Sequence, residues 1–173
     1  FDENKTIFIH IPKTAGLSVV KSIFGVSGGH RSSVYYKKLF GKDFDKYFKF
    51  SFVRNPWDRL YSAYCFLELG GLNKNDKIAF KKYLGNCLSF EDFVMNWLDE
   101  KIIYKIIHFF PQSYFLVDDS GALLVDFIGR FENLHEDYKF ISKKIGITHP
   151  LFHINKVKNK DLYKTVYTKQ MID

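Results

Sequence analysis

The sequence has 173 residues, of which 46% are hydrophobic and 18% aromatic, enough for one domain with a real core and too aromatic for a disordered or low-complexity chain. Lys and Arg number 26 against 19 Asp and Glu, a net charge of +7. That excess favours an anionic partner and leaves its class open among nucleic acid, nucleotide, acidic glycan and anionic membrane.

Residues 6–11 (TIFIHI) are β-branched, aromatic and almost continuously apolar, the pattern of a buried parallel strand. A short loop over 12–16 leads into a helical spacing of apolar residues over 17–24, closed by Gly25. Residues 25–33 are rich in Gly and Ser and read as loop, and 34–40 resume a helical pattern. Residues 47–53 (YFKFSFV) predict a second strand, followed by Asn55 as N-cap and Pro56 at the first position of a helix that Gly70-Gly71 ends. Two further helices are expected over 76–84 and 90–98, the latter with Ser89 and Asp92 as a capping box. Residues 113–117 and 123–127 read as strands around a turn at Asp118-Asp119-Ser120-Gly121. A helix over 134–145 ends at Gly146, and Thr168 caps a helix that starts as the chain stops. Strands alternating with helices predict a three-layer α/β domain with a central, mostly parallel sheet flanked by helices, and ligands beyond the carboxyl ends of its strands.

Cys65 and Cys87 are too few for a disulfide scaffold, wrongly spaced for a zinc cluster, and expected as buried thiols. The longest apolar patch, 102–110, is broken by Tyr104, Lys105 and His108 and falls short of the ~18 residues of a membrane span.

Two strand-to-helix junctions carry the chemistry, and in a parallel sheet both face the same edge. The first, Pro12-Lys13-Thr14-Ala15-Gly16-Leu17-Ser18, puts small residues, two hydroxyls and one cation at a helix N-terminus. Such a loop cradles a phosphate or sulfate with backbone N–H groups and the helix dipole. It is not a Walker A loop, because Lys13-Thr14 precedes Gly16, and no apolar strand ends in an Asp placed to hold Mg²⁺. The second, Phe50-Ser51-Phe52-Val53-Arg54-Asn55-Pro56, places Arg54 at a strand end, where its planar fork suits two phosphate oxygens, and Ser62 about two turns into the next helix.

With these two motifs in order, the chain resembles the sulfotransferases that use 3′-phosphoadenosine 5′-phosphosulfate, particularly the carbohydrate, heparan 2-O-sulfotransferase-like branch with bacterial and Golgi members. IFIHIPKTAGLS is similar to that family's 5′-phosphosulfate loop, FSFVRNPWDRLYSAY to its 3′-phosphate site, and VDFIGRFENLHEDY to a third characteristic stretch. The resemblance implies one P-loop-like sulfotransferase domain over 1–173, cut short at its C-terminus. It implies Lys13, Thr14, Ala15, Gly16, Leu17 and Ser18 around the 5′-phosphosulfate, Arg54 and Ser62 on the 3′-phosphate, and adenosine 3′,5′-bisphosphate as product. No metal is implied. Lys13 would stabilise charge on the leaving group, and His30, in Gly28-Gly29-His30-Arg31-Ser32, is the candidate base toward a carbohydrate or other hydroxyl acceptor.

His10, inside the first strand, reads as structural, Gln112 after Phe110-Pro111 as a candidate acceptor-facing residue, and Glu132-Asn133 as a strand-end and helix-cap feature. The basic stretch Asn155-Lys156-Val157-Lys158-Asn159-Lys160 resembles the family's late loop near the donor. Gly25-Val26-Ser27-Gly28-Gly29 matches the hydrolase elbow in composition, but it follows a helix and enters a loop, the wrong context. Two other readings stay open: a P-loop-like kinase, and a non-catalytic module for anionic glycan or nucleic acid. Nucleic acid is not expected, because the informative cations sit singly at helix starts, without aromatics interleaved among basic residues on one face. Free thiols and the lack of a visible anchor suit a bacterial cytoplasm, although a Golgi-lumenal domain would look similar.

Overall fold

In the computed structural model, residues 5–25, 28–152 and 163–172 are described. The chain divides into two compact units, Phe1–Asn55 with Pro111–Lys156, and Pro56–Phe110 with Val157–Asp173.

The first unit is built on a parallel sheet in the order β1 (Thr6–Ile9), β2 (Phe48–Val53), β3 (Phe127–Arg130). Register pairs Phe8 with Phe50 and Phe50 with Phe127, so one face presents a row of aromatic rings, with Phe8 and Phe50 stacked at 5.0 Å. That face is covered by α1 (Gly16–Phe24) through Val19 and Val20 and by α7 (Leu134–Lys144) through Tyr138 and Ile141, which removes it from water. Gly129 is required on β3, because a Cβ there would meet the Phe52 ring at 2.5 Å. The α/β class with a parallel sheet flanked by helices is therefore as expected, and α2 (Ser33–Phe40) starts from a Ser32 side-chain cap.

Two expectations are corrected. Residues 113–117 are not a strand; Gln112–Leu116 form the short helix α6, leaving only a single antiparallel bridge between Val117 and Leu123. The third strand falls at Phe127–Arg130 instead of 123–127. Pairing with β2 decides its position, and the Asp118 carboxylate holds the preceding turn through the Ser120 and Ala122 amides.

The second unit is helical. Its core gathers α3 (Pro56–Glu68), α4 (Lys74–Leu84) and α5 (Phe90–Asp92), which continues as a wide turn over Phe93–Trp97, around Tyr64, Leu67, Leu84 and Phe93. Asn73 caps α4, and Ser89 caps α5 by accepting from the Asp92 amide. The two cysteines form no disulfide and are half-buried, less enclosed than expected. Among the described residues no helix is long and apolar enough to cross a membrane.

Candidate functional site

The carboxyl ends of β1 and β2 lie on one edge because the strands are parallel. After β1 the chain turns sharply at Lys13 (φ 70°) and Ala15 (φ 65°), left-handed conformations that non-glycine residues rarely take. Each costs roughly 1–2 kcal/mol, so the turn needs support. Thr14 provides part of it: fully buried, it donates its hydroxyl to the Ile11 carbonyl at 2.9 Å.

The result is the start of α1 at Gly16, with Ala15 as N-cap and no side chain capping the first amides. Leu17 is half-buried and Ser18 buried in that first turn. A nine-residue helix that opens without a side-chain cap offers backbone donors and a positive dipole end to an anion. Gly16 is dictated by packing: a Cβ there would fall on Cδ2 and Nε2 of the His10 ring.

Arg54 follows β2 and is buried, 6% exposed. Its Nη1 donates to the Lys13 carbonyl at 3.0 Å, and its guanidinium lies 4.1 Å from the centroid of the Phe131 ring. Its backbone is clamped at both polar atoms: the Arg54 amide donates to Gln112 Oε1 at 2.9 Å, and Gln112 Nε2 donates to the Arg54 carbonyl at 2.8 Å. The next amide, that of Asn55, donates to Glu132 Oε1 at 2.6 Å. A cation held this firmly at the sheet edge is preorganised to meet an anion.

His30 is half-buried, with Nδ1 3.1 Å from the His10 carbonyl oxygen and its ring 4.3 Å from the His10 ring. Beyond it, the Arg31 guanidinium lies 5.1 Å from the centroid of the exposed Tyr35 ring.

Of the residues read from the sequence, Lys13, Thr14, Ala15, Gly16, Leu17, Ser18, Arg54 and His30 all belong to this unit and gather after β1 and β2. Ser62 is half-buried on α3 in the second unit and is not among the residues these contacts gather. Residues 155–160, Val26 and Ser27 lie outside the described residues. Gln112 uses both ends of its amide on Arg54, a different task from facing an acceptor. Phe131 and the Glu132 contact with Asn55 were not foreseen; the sole signal for them is their place directly after a strand. Among the described residues, no group of three or more His, Cys, Asp or Glu is placed to hold a metal ion.

The model of the sulfotransferase family matches residues 1–171. An uncharacterised protein of Archaeoglobus fulgidus is 38% identical over 110 residues, covering 64% of this chain and 77% of that protein. Carbohydrate sulfotransferase 14 of Danio rerio is 26% identical over 201 residues, covering 99% of this chain and 53% of that protein, so the chain spans about half of that relative's length. No solved structure matches significantly. With a family match over nearly all of its length, the chain belongs to the sulfotransferase family.

Proposed function

We propose that the chain moves a sulfuryl group from 3′-phosphoadenosine 5′-phosphosulfate to a hydroxyl of a carbohydrate, within one catalytic domain that includes both units. The observation that carries this reading is the bond from Arg54 Nη1 to the Lys13 carbonyl, which joins two cation-bearing junctions at one edge. A donor with two separate anionic ends suits two linked anion sites, and the uncapped start of α1 suits the phosphosulfate end. The donor supplies a sulfuryl group already activated by its link to phosphate.

The chain's own residues do the rest. The backbone of Thr14, Ala15, Gly16, Leu17 and Ser18 surrounds the 5′ end, while Arg54 holds the 3′-phosphate. Lys13 stabilises the negative charge that grows on the bridging oxygen as the sulfur–oxygen bond breaks. His30 accepts the proton of the attacking hydroxyl as the new oxygen–sulfur bond forms. The carbohydrate acceptor is suggested by the likeness to the Danio rerio enzyme and by the Arg31–Tyr35 pair beside the base, where a sugar could rest on the exposed ring.

Calorimetric titration with adenosine 3′,5′-bisphosphate tests the donor site. Micromolar binding is expected, weakened about tenfold or more by Arg54→Ala, a change of at least about 1.4 kcal/mol, with ATP much weaker throughout. No binding by the folded chain would move the anion-binding module to first place. His30→Ala is expected to abolish transfer while binding of the bisphosphate persists.

A further inference from the structure

His30 reaches the end of β1 through Nδ1, 3.1 Å from the carbonyl oxygen of His10. A peptide carbonyl only accepts, so Nδ1 carries the proton, and in the neutral ring the lone pair lies on Nε2. The two rings also pack, with centroids 4.3 Å apart and planes tilted by 59°. The His10 ring is 4% exposed, and Phe8 stacks on it at 5.7 Å. Its Cδ2 and Nε2 occupy the space that a Cβ on Gly16 would need. One buried ring is thus wedged against β1, the first residue of α1 and His30.

We propose that His10 is the positioning residue for His30: its carbonyl fixes the proton on Nδ1, and its ring aims the imidazole from the phosphosulfate loop. The proposal rests on the reading of His30 as base. In the transfer step, the hydroxyl oxygen bonds to sulfur, the sulfur–oxygen bond to the nucleotide breaks, and the hydroxyl proton passes to His30 Nε2. The imidazolium keeps its Nδ1–H on the His10 carbonyl. A base oriented through its far nitrogen needs no carboxylate when a backbone acceptor stands there. The absence of a Cβ at residue 16 then has a use beyond the anion loop, since it makes room for the ring that aims the base.

The test is a long-range ¹⁵N–¹H imidazole spectrum of the chain at about pH 8, where an ordinary histidine is neutral, with His30 assigned by its loss in His30→Asn. The native chain is expected to show His30 as the Nδ1–H tautomer. His10→Phe, which keeps a ring and the carbonyl, retains that pattern. His10→Ala, which removes the wedge, shifts His30 toward a tautomer mixture, with adenosine 3′,5′-bisphosphate affinity changed less than about threefold. An Nε2–H tautomer in the native chain would overturn the proposal, and so would an unchanged His30 pattern in folded His10→Ala. If His10→Ala does not fold, the native spectrum and His10→Phe still decide. The base reading fails separately, if His30→Ala leaves sulfuryl transfer intact.

Discussion

Gln112 shows how one side chain can set the quality of a site it does not itself form. Its amide bonds both the N–H and the C=O of Arg54, the first residue past the end of β2. Leaving a buried backbone group unpaired costs about 1–3 kcal/mol. Gln112→Ala should therefore weaken adenosine 3′,5′-bisphosphate binding about tenfold in calorimetric titration, and Gln112→Glu, which keeps the acceptor and loses the donor, should fall between. Gly16 presents the opposite problem, an excess of atoms. Gly16→Ala forces its methyl into the His10 ring, and overpacking of this kind costs about 1–3 kcal/mol. Urea unfolding should show that loss, and combining it with His10→Ala should be less than additive, because the second change removes the clash. Additive effects would mean that the two residues do not meet.

At the scale of elements, β1 and β2 were legible because TIFI is β-branched or aromatic at every position and FKFSFV at four of six, and α1 because apolar spacing ended at a glycine. The segment SYFLV was misread for the same reason that made those readings work: its residues favour strands. Local context won, since Pro111 opens the turn of α6 and the Gln112 amide anchors it to the end of β2. The two anion loops could be read because cations after strong strands are visible in one dimension. The Gln112 and Phe131 contacts could not, because Gln112 lies 58 residues from Arg54 and only the pairing of β2 with β3 brings Phe131 close. The turn before β3 gives an acid-side prediction. Hydrogen bonding from the Ser120 hydroxyl, more than any other cause, lowers the Asp118 carboxyl below its ordinary value, with the Ala122 and Ser120 amides adding to it. A depressed folded pKa stabilises above the unfolded value and is lost as pH falls through the folded one. Amide exchange at Ser120 and Ala122 should accordingly rise, relative to the rest of the chain, below about pH 4, and Asp118→Ala should remove that dependence.

For the whole molecule, charge and burial govern the response to solution conditions. The net +7 would make binding of the proposed donor electrostatic in part. As the Debye length falls from about 10 Å at 0.1 M salt to about 3 Å at 1 M, bisphosphate affinity should drop several-fold, while a neutral nucleoside control should not respond. At the alkaline end, buried phenols matter. Burial, the main cause, pushes Tyr61 up to about 12 and raises Tyr64, Tyr167, Tyr36 and Tyr138 above the ordinary 10.0. A raised folded pKa leaves stability intact below the unfolded value and removes it as pH climbs through the folded one. The free energy of unfolding should thus hold steady up to about pH 9 and decline between about 10 and 12, with these five phenols ionising together with loss of structure. Ionisation of all five in a chain that keeps its native spectrum would contradict this.

The grip of Arg54 on residue 13 is taken on the main chain. That hold does not depend on the side chain at position 13, within the limit that a left-handed backbone sets. Asn, which tolerates that conformation better than most residues, could replace Lys13 without loosening the turn. On the role proposed for Lys13, a single-nucleotide change in its codon would thus separate recognition from turnover. Natural selection would find the path from transferase to pseudoenzyme short at this residue, and long at Arg54, where loss of the cation and collapse of the loop come together.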